Sequence, residues 1–372
     1  MRILHFYKTA HPDTMGGVEQ VIHQVCQQSY RFGVTCEVLA LSKNPSPTVI
    51  ETDGYRIHQV KENFKIASTG FSIQAYSKFK ELAQNADIIN YHFPWPFMDV
   101  IHFASRIRKP SVVSYHSDIV DQKQLLKLYR PLQTKFLSSV NRIIVSSPNY
   151  LESSSVLPIF REKISIIPIG LNKESYPTPS PALITGWASQ LPGRFFLFVG
   201  VMRYYKGLHT LLEAVQGTGY PLVIVGDGPK KQDLMAQAEK LRLRNVHFLG
   251  QIDDESKIAL IQLSTAVVFP SHLRSEAFGI ALLEGAMYGK PMISCEIGTG
   301  TTYINIANET GLTVPPEDPV ALRQAMRYLW DNPLVAEVMG EKAQLRYQQV
   351  FTGDQMLKGY TEVYQSVMNE QR

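Results

Sequence analysis

Short apolar runs rich in β-branched residues alternate with helical patterns along almost the whole chain. RILHFY, TCEVLAL, DIINYHF, SVVSYH, RIIVSS and ISIIPIG in the first half are nearly continuous in apolar residues, which predicts parallel strands buried on both faces. RFFLFVGV, PLVIVGD, NVHFLG, TAVVFPS and PMISCE form a second series, with helical stretches such as GLHTLLEAV and KKQDLMAQAEKL between them. NKESYPTPSPALITGWASQLPG separates the two series; rich in Pro and Ser and weak in periodicity, it reads as an interdomain linker. Strand–helix alternation in both halves predicts an α/β protein of two Rossmann-like, doubly wound domains. The expected boundaries are residues 1–178, residues 179–350 and a C-terminal helix in 351–372 that crosses back to the first domain. Ligands of such sheets bind outside the carboxyl ends of the strands, so two such domains facing each other would form a cleft.

Composition narrows the class. The 372 residues suffice for two cores, and 44% hydrophobic with 19% charged residues is the balance of a folded protein. A net charge of +4 does not point to a nucleic-acid partner. The three cysteines form no C-x-x-C pair, so neither a zinc site nor a disulfide framework is expected, and a reducing compartment suits them. The apolar run at the N-terminus is short for a secretory signal and no membrane-spanning run occurs, so a cytoplasmic location is the expectation. Charge is uneven, however. Residues 103–142 carry Arg106, Arg108, Lys109, Lys123, Lys127, Arg130, Lys135 and Arg142 against Asp118 and Asp121. Apolar residues interleave with these cations, as they would on a membrane-binding face or on an ordinary solvated helix.

The candidate chemistry starts with RSEAFGIALLEGAMY, residues 274–288, a largely apolar segment that nevertheless holds Glu276 and Glu284. Glu276 is expected in the loop at or just before a helix start and Glu284 eight residues along, with roughly 12 Å of axial rise between them. That is about the reach from a sugar ring to the ribose of a nucleotide-diphosphate sugar. Free N–H groups of Phe278, Gly279 and Ile280 would face anionic oxygens between these ends, Gly279 leaving room for close approach. A carboxylate accepting two hydrogen bonds from a ribose diol would explain Glu284. The alternative is an acid favouring the helix dipole plus one ion-paired glutamate.

GVMRYYKGLHTLLEA places Arg203 and Lys206 between strand and helix, where they could clamp a diphosphate or form an ordinary basic turn. Gly226 and Gly228 in VIVGDGPKK could approach a ligand or simply turn the chain. The dinucleotide fingerprint G-x-G-x-x-G is absent, as is any D-x-D pair for holding a metal–nucleotide complex. In the first half, Gly16 and Gly17 open a helix whose N–H groups could meet a phosphate or sugar. His92 and His116 stand at strand ends, where a histidine is either structural or turned toward the cleft.

Taken together, these segments resemble one family. SEAFGIALLEGAMYGKP resembles the E-x7-E signature of retaining family 4 glycosyltransferases of the GT-B fold. GGVE, YHSD, IPIG, VGDGP and ETGLTVPPEDP resemble that family's other landmarks in the same order, over nearly the whole chain. The resemblance implies that Glu284 binds the nucleotide ribose and Glu276 faces the transferred sugar. Phe278, Gly279 and Ile280 would contact sugar hydroxyls and phosphate, and Gly226 would line the donor. Lys206 and Arg203 would neutralise the departing diphosphate with no metal and no cofactor. His116 would sit near the anomeric carbon and the sugar O6, and Gly17 near diphosphate and acceptor, with Gly16 and His92 on the acceptor side. Two positions depart from the pattern: Val201 stands where the family carries Arg, and Asn172 replaces the acid of G-I-D.

RYYKGL and GTGTTYIN further resemble bacterial polysaccharide and O-antigen mannosyltransferases that use GDP-mannose. The expected reaction is therefore retaining transfer of mannose from GDP-mannose to a lipid-linked oligosaccharide in lipopolysaccharide O-antigen synthesis. The basic 103–142 stretch would bring the enzyme to the cytoplasmic face of the inner membrane. The alternatives are a UDP-hexose or UDP-N-acetylhexosamine donor, or a nucleotide-sugar epimerase of the same architecture.

Overall fold

In a computed structural model the chain divides into two compact α/β units, Met1–Gly170 together with Gly353–Arg372, and Leu171–Thr352. The structure describes every residue except 15, 53, 67, 68, 120–122, 192, 371 and 372. Asp121 and the side chain of Lys123, both part of the basic stretch, lie outside the described residues.

The first unit is built on β1 (Arg2–Phe6), β2 (Thr35–Ser42), β3 (Val49–Thr52) and β4 (Tyr55–Lys61), followed by a separate hairpin of β5 (Phe64–Ile66) and β6 (Thr69–Phe71). The sheet continues with β7 (Ile88–Phe93), β8 (Ser111–Tyr115), β9 (Arg142–Val145) and β10 (Ile164–Ile166). Its order is β10-β9-β8-β7-β1-β2-β4-β3, parallel throughout except for the antiparallel β3–β4 edge. Every residue of β7 and β8 is buried, as expected of central strands covered on both faces. The strand order reverses between β1 and β7, and loops at such a switch point open a crevice at the carboxyl ends.

The terminal helix Gly353–Asn369 belongs to this first unit. Met356, Leu357, Tyr360, Tyr364 and Val367 enter the same core cluster as Val21, Val25 and Cys36. Arg31 pairs with Asp354 at 2.8 Å near one end, and Arg142 pairs with Glu370 near the other.

The second unit carries β11 (Phe196–Val199), β12 (Leu222–Val225), β13 (Val246–Gly250), β14 (Ala266–Phe269), β15 (Met292–Cys295) and β16 (Gly311–Val314). They form a six-stranded parallel sheet in the order β13-β12-β11-β14-β15-β16. From β11 the chain winds outward to β13 and then returns to β14 on the other side, so the switch point lies between β11 and β14.

Residues 172–193 are not a free linker. Pro181–Gln190 is a helix capped by Ser180, whose own N–H donates to Glu255 at 3.0 Å. Tyr176, Trp187 and Leu191 pack into the core cluster of Phe195, Leu197 and Ile258. Its Pro and Ser residues are helix-start chemistry: Ser180 as cap and Pro181 in the first turn.

Candidate functional site

Two loops meet at the switch point of the second unit. The one after β11 turns through Tyr204–Lys206 into the helix Leu208–Val215, and the one after β14 runs from Pro270 to Gly279. Their backbones touch, with His272 donating its N–H to the Tyr205 carbonyl at 3.0 Å. Across this junction Lys206 Nζ donates to Glu276 Oε2 at 2.5 Å, and Ser271 Oγ donates to the same oxygen at 3.3 Å. Lys206 also lies over the Phe269 ring, 4.5 Å from its centroid. Both side chains of the pair are 12% exposed. At that depth neither charge is well hydrated, so removing one partner would leave the other stranded at a cost of about 3–5 kcal/mol.

Glu284 sits on the helix Ile280–Met287, buried, where its Oε1 accepts from Lys257 Nζ at 2.9 Å. Lys257 comes from the helix Asp254–Leu263 and also meets Asp254 at 2.9 Å. Burial pulls the Lys257 ammonium down, but the Glu284 and Asp254 carboxylates outweigh it and hold its pKa above the ordinary value. Each acid thus owns a lysine. Between the two acids, the N–H groups of Phe278, Gly279, Ile280 and Ala281 meet no acceptor among the described residues. A helix start with its first donors free, flanked by a lysine on one side and a carboxylate on the other, can hold an anion beside a diol.

Several expectations are corrected here. The helix begins only at Ile280, so helical rise does not apply between Glu276 and Gly279. Gly279 has φ 103°, and an added Cβ would come within 3.3 Å of Leu282 and Phe269; its glycine serves the backbone and local packing. The Phe278 ring is buried against Phe351, 6.1 Å between centroids, leaving its backbone for any ligand. Gly226 has φ 125° and lies against the Gly200 carbonyl, so it lets two loops cross and turns the chain. Arg203 is exposed and lines a small cavity with Tyr204, His209, Lys230 and Asp233. Val201 is also exposed, 48%.

In the first unit Gly16 caps the helix Gly17–Gln27, whose buried Glu19 accepts from Thr9 at 2.7 Å and Thr14 at 2.8 Å. An added Cβ at Gly16 would strike the Glu19 carboxylate, so this helix start is already faced by a negative group. That weakens it as a phosphate cradle. His92 is wholly buried in β7 and cannot touch an acceptor. It bonds to His116 at 2.9 Å and to His5 at 2.9 Å instead. His116 follows β8, half-buried. Burial pushes its imidazole down to about 3 and, with the neighbouring His116 and His5, holds His92 well below its ordinary value.

Sequence reasoning missed Lys257, Glu19 and His5. Among the described residues two groups have the ligand types for a metal, His5–Cys26–Cys36 and His209–His272–Glu317, each with its ligand atoms within 4.8 Å of one another.

A family model named Glycosyltransferase Family 4 matches residues 15–175, and one named Glycosyl transferases group 1 matches residues 185–346. The D-rhamnosyltransferase WbpZ of Pseudomonas aeruginosa is 60% identical to this chain, covering 95% of it and 92% of the relative. The O-antigen chain mannosyltransferase C of Escherichia coli is 46% identical over 99% of both. The chain belongs to the family 4 glycosyltransferases. The fold is GT-B, and solved structures agree with that at low identity. Sucrose-phosphate synthase from Thermosynechococcus elongatus matches with TM-score 0.82 at 20% identity, over 99% of both chains. Anabaena HepE in complex with UDP matches with TM-score 0.79 at 19%, over 98% of this chain and 100% of that one.

The histidines of this glycosyltransferase give it an acid-sensitive first unit. Unfolded imidazoles titrate near pH ~6.5, whereas folded His116 titrates at about 3 and folded His92 is also depressed. Below ~6.5 the unfolded chain therefore binds more protons, so this contribution is present above that pH and is lost as pH falls toward the folded value. Urea unfolding across that window should show stability falling with acidification, with a shallower slope in His116→Asn. Equal slopes in the two proteins would contradict this.

Proposed function

We propose that this glycosyltransferase moves mannose from GDP-mannose to a lipid-linked saccharide in O-antigen synthesis, with retention of configuration and without a metal. The observation that carries the reading is the arrangement of two buried glutamates, each paired with a lysine, on either side of unsatisfied helix N–H groups. Glu284 would accept from the ribose hydroxyls. The N–H groups after Phe278 and the remaining ammonium donors of Lys206 would meet the diphosphate, and Glu276 would face the sugar. As the glycosidic bond breaks, charge grows on the β-phosphate, where fixed donors stabilise the transition state more than the ground state. No side chain is assigned as a nucleophile, which suits attack on the leaving-group face assisted by the departing phosphate.

One observation favours a second donor. The relative at 60% identity is named a D-rhamnosyltransferase, and D-rhamnose is mannose without its O6. A pocket that hydrogen-bonds O6 would discriminate strongly against the deoxy sugar, while a pocket that ignores O6 would accept both.

The test is transfer by the purified protein to a lipid-linked acceptor from GDP-mannose, GDP-D-rhamnose and UDP-N-acetylglucosamine, each with and without EDTA. Mannose transfer that persists in EDTA is expected, with Lys206→Ala reducing kcat/KM by about 10²–10³ in a folded protein. Transfer from GDP-D-rhamnose alone selects the second donor. Transfer from the UDP sugar alone, or an EDTA block relieved by Mg²⁺, overturns the corresponding part of the proposal.

No helix of the described residues is long and apolar enough to cross a membrane. The helix Lys123–Ser139 exposes Leu125 (53%) and Leu128 (81%) beside exposed Lys127 and Arg130, which supports docking on an anionic bilayer. Sedimentation with phosphatidylglycerol vesicles should be lost in Leu125→Ser/Leu128→Ser; equal sedimentation would contradict docking through this helix.

A further inference from the structure

Three histidines of the first unit, two on neighbouring strands and one directly after the next strand, form one hydrogen-bonded line. His5 in β1 meets His92 in β7 through Nδ1 and Nε2 at 2.9 Å, and His92 Nδ1 meets His116 Nε2 at 2.9 Å. The ring planes are inclined by 26° and 9°, with 5.2 Å between the centroids of each adjacent pair. A neutral imidazole carries its proton on one nitrogen only, so fixing the polarity of one link fixes the tautomer of the next ring.

Two independent features set that polarity. The Asn90 amide nitrogen lies 3.0 Å from His92 Nε2, 3.0 Å from Ser114 Oγ and 3.4 Å from His5 Nδ1. An amide N–H only donates, and its two hydrogens serve the two nearer atoms, so His92 Nε2 accepts and its proton belongs on Nδ1. From there it points at His116 Nε2, which must also accept, and the proton of His116 is left on Nδ1. The far end of the line agrees. His5 Nε2 is buried with no hydrogen-bond partner, and the neighbours with ligand atoms within 4.8 Å are the Cys26 and Cys36 thiols. The opposite polarity would place an N–H there facing the Cys26 and Cys36 sulfurs, with no hydrogen bond to either, and a buried orphan N–H is among the costlier defects a protein can carry. With His5 donating through Nδ1, its Nε2 stays bare. Asn90 is in turn braced by Ser114, whose Oγ lies 3.0 Å from the Tyr360 hydroxyl on the returning terminal helix.

We propose that Asn90, His92 and His5 are positioning residues that hold His116 as its Nδ1–H tautomer, so that it offers a hydrogen-bond donor, and not a base, to an oxygen of the bound substrate. The identity of that oxygen rests on the proposed sugar transfer; the tautomer does not. It can be read with no sugar nucleotide present.

The test is a long-range ¹H–¹⁵N spectrum of the full chain labelled at its histidine imidazoles, with His116 assigned by its loss in His116→Gln. The expected result is Nδ1 of His116 in the protonated range and Nε2 in the unprotonated range at neutral pH. Asn90→Asp replaces the donor by an acceptor of the same shape, and should move the proton of His116 to Nε2 or charge the line. A wild-type His116 with its proton on Nε2, or averaged between both nitrogens, overturns the proposal. A folded Asn90→Asp protein with an unchanged His116 spectrum also overturns it. If that variant does not fold, the wild-type spectrum alone still decides. Failure of sugar transfer with the expected spectrum would leave this assignment standing and remove the donor reading.

Discussion

A carboxylate taken out of water needs a cation or hydrogen-bond donors at contact distance, and the second unit supplies a lysine for this twice within one loop and helix. Lys206 holds Glu276 by joining the turn after β11 to the loop after β14. Lys257 holds Glu284 by joining two successive helices. Because each pair ties together elements from different βα units, the positions of both acids are set by the sheet, not by their local segment. The free N–H groups at the start of the Ile280–Met287 helix are thereby held between two fixed points. A ligand meeting this surface finds its donors and acceptors already in place, which is where preorganised electrostatics gain their advantage over water.

The first unit places its polar groups by a different rule. Among the described residues its central strands hold no buried lysine–glutamate pair; the line of His5, His92 and His116 is held instead by hydrogen bonds between the rings and by Asn90. Burial keeps the imidazoles of His92 and His116 uncharged, so their orientation depends on which nitrogen donates, not on attraction between opposite charges. The terminal helix contributes through Tyr360, which gives the return of the chain to this unit a consequence beyond packing.

Much of this was legible in the sequence where one segment carries its own signal. The central strands announce themselves because burial on both faces demands an unbroken apolar run. The edge strand β3 and its neighbour β4 do not, since they mix Glu51, Arg56 and Lys61 with apolar residues, and β16 is short and opens on a glycine. The helix within 172–193 is hidden because Pro and Ser mark a helix start as readily as a linker, and the packing of Trp187 and Leu191 depends on neighbours distant in sequence. At the site, Glu276, Glu284 and Lys206 stood out as charged residues in apolar or strand-end contexts. Lys257, 27 residues from its partner Glu284, looked like an ordinary surface lysine, because only the packing of two helices brings it to Glu284. His92 was placed correctly along the chain but not in depth, since a strand-end position does not say whether a side chain opens outward or lies beneath its neighbour.

The central claim is that Glu284, held by Lys257, is the anchor for a nucleotide. Calorimetric titration of GDP into the wild-type protein, Glu284→Ala, Lys257→Ala and the double variant addresses it directly. Residues acting as one unit give non-additive losses. GDP affinity should therefore fall by about tenfold or more in each single variant, at least 1.4 kcal/mol, and the double variant should be little worse than Glu284→Ala alone. Unchanged GDP binding in folded Glu284→Ala, or losses that simply add in the double variant, would contradict it.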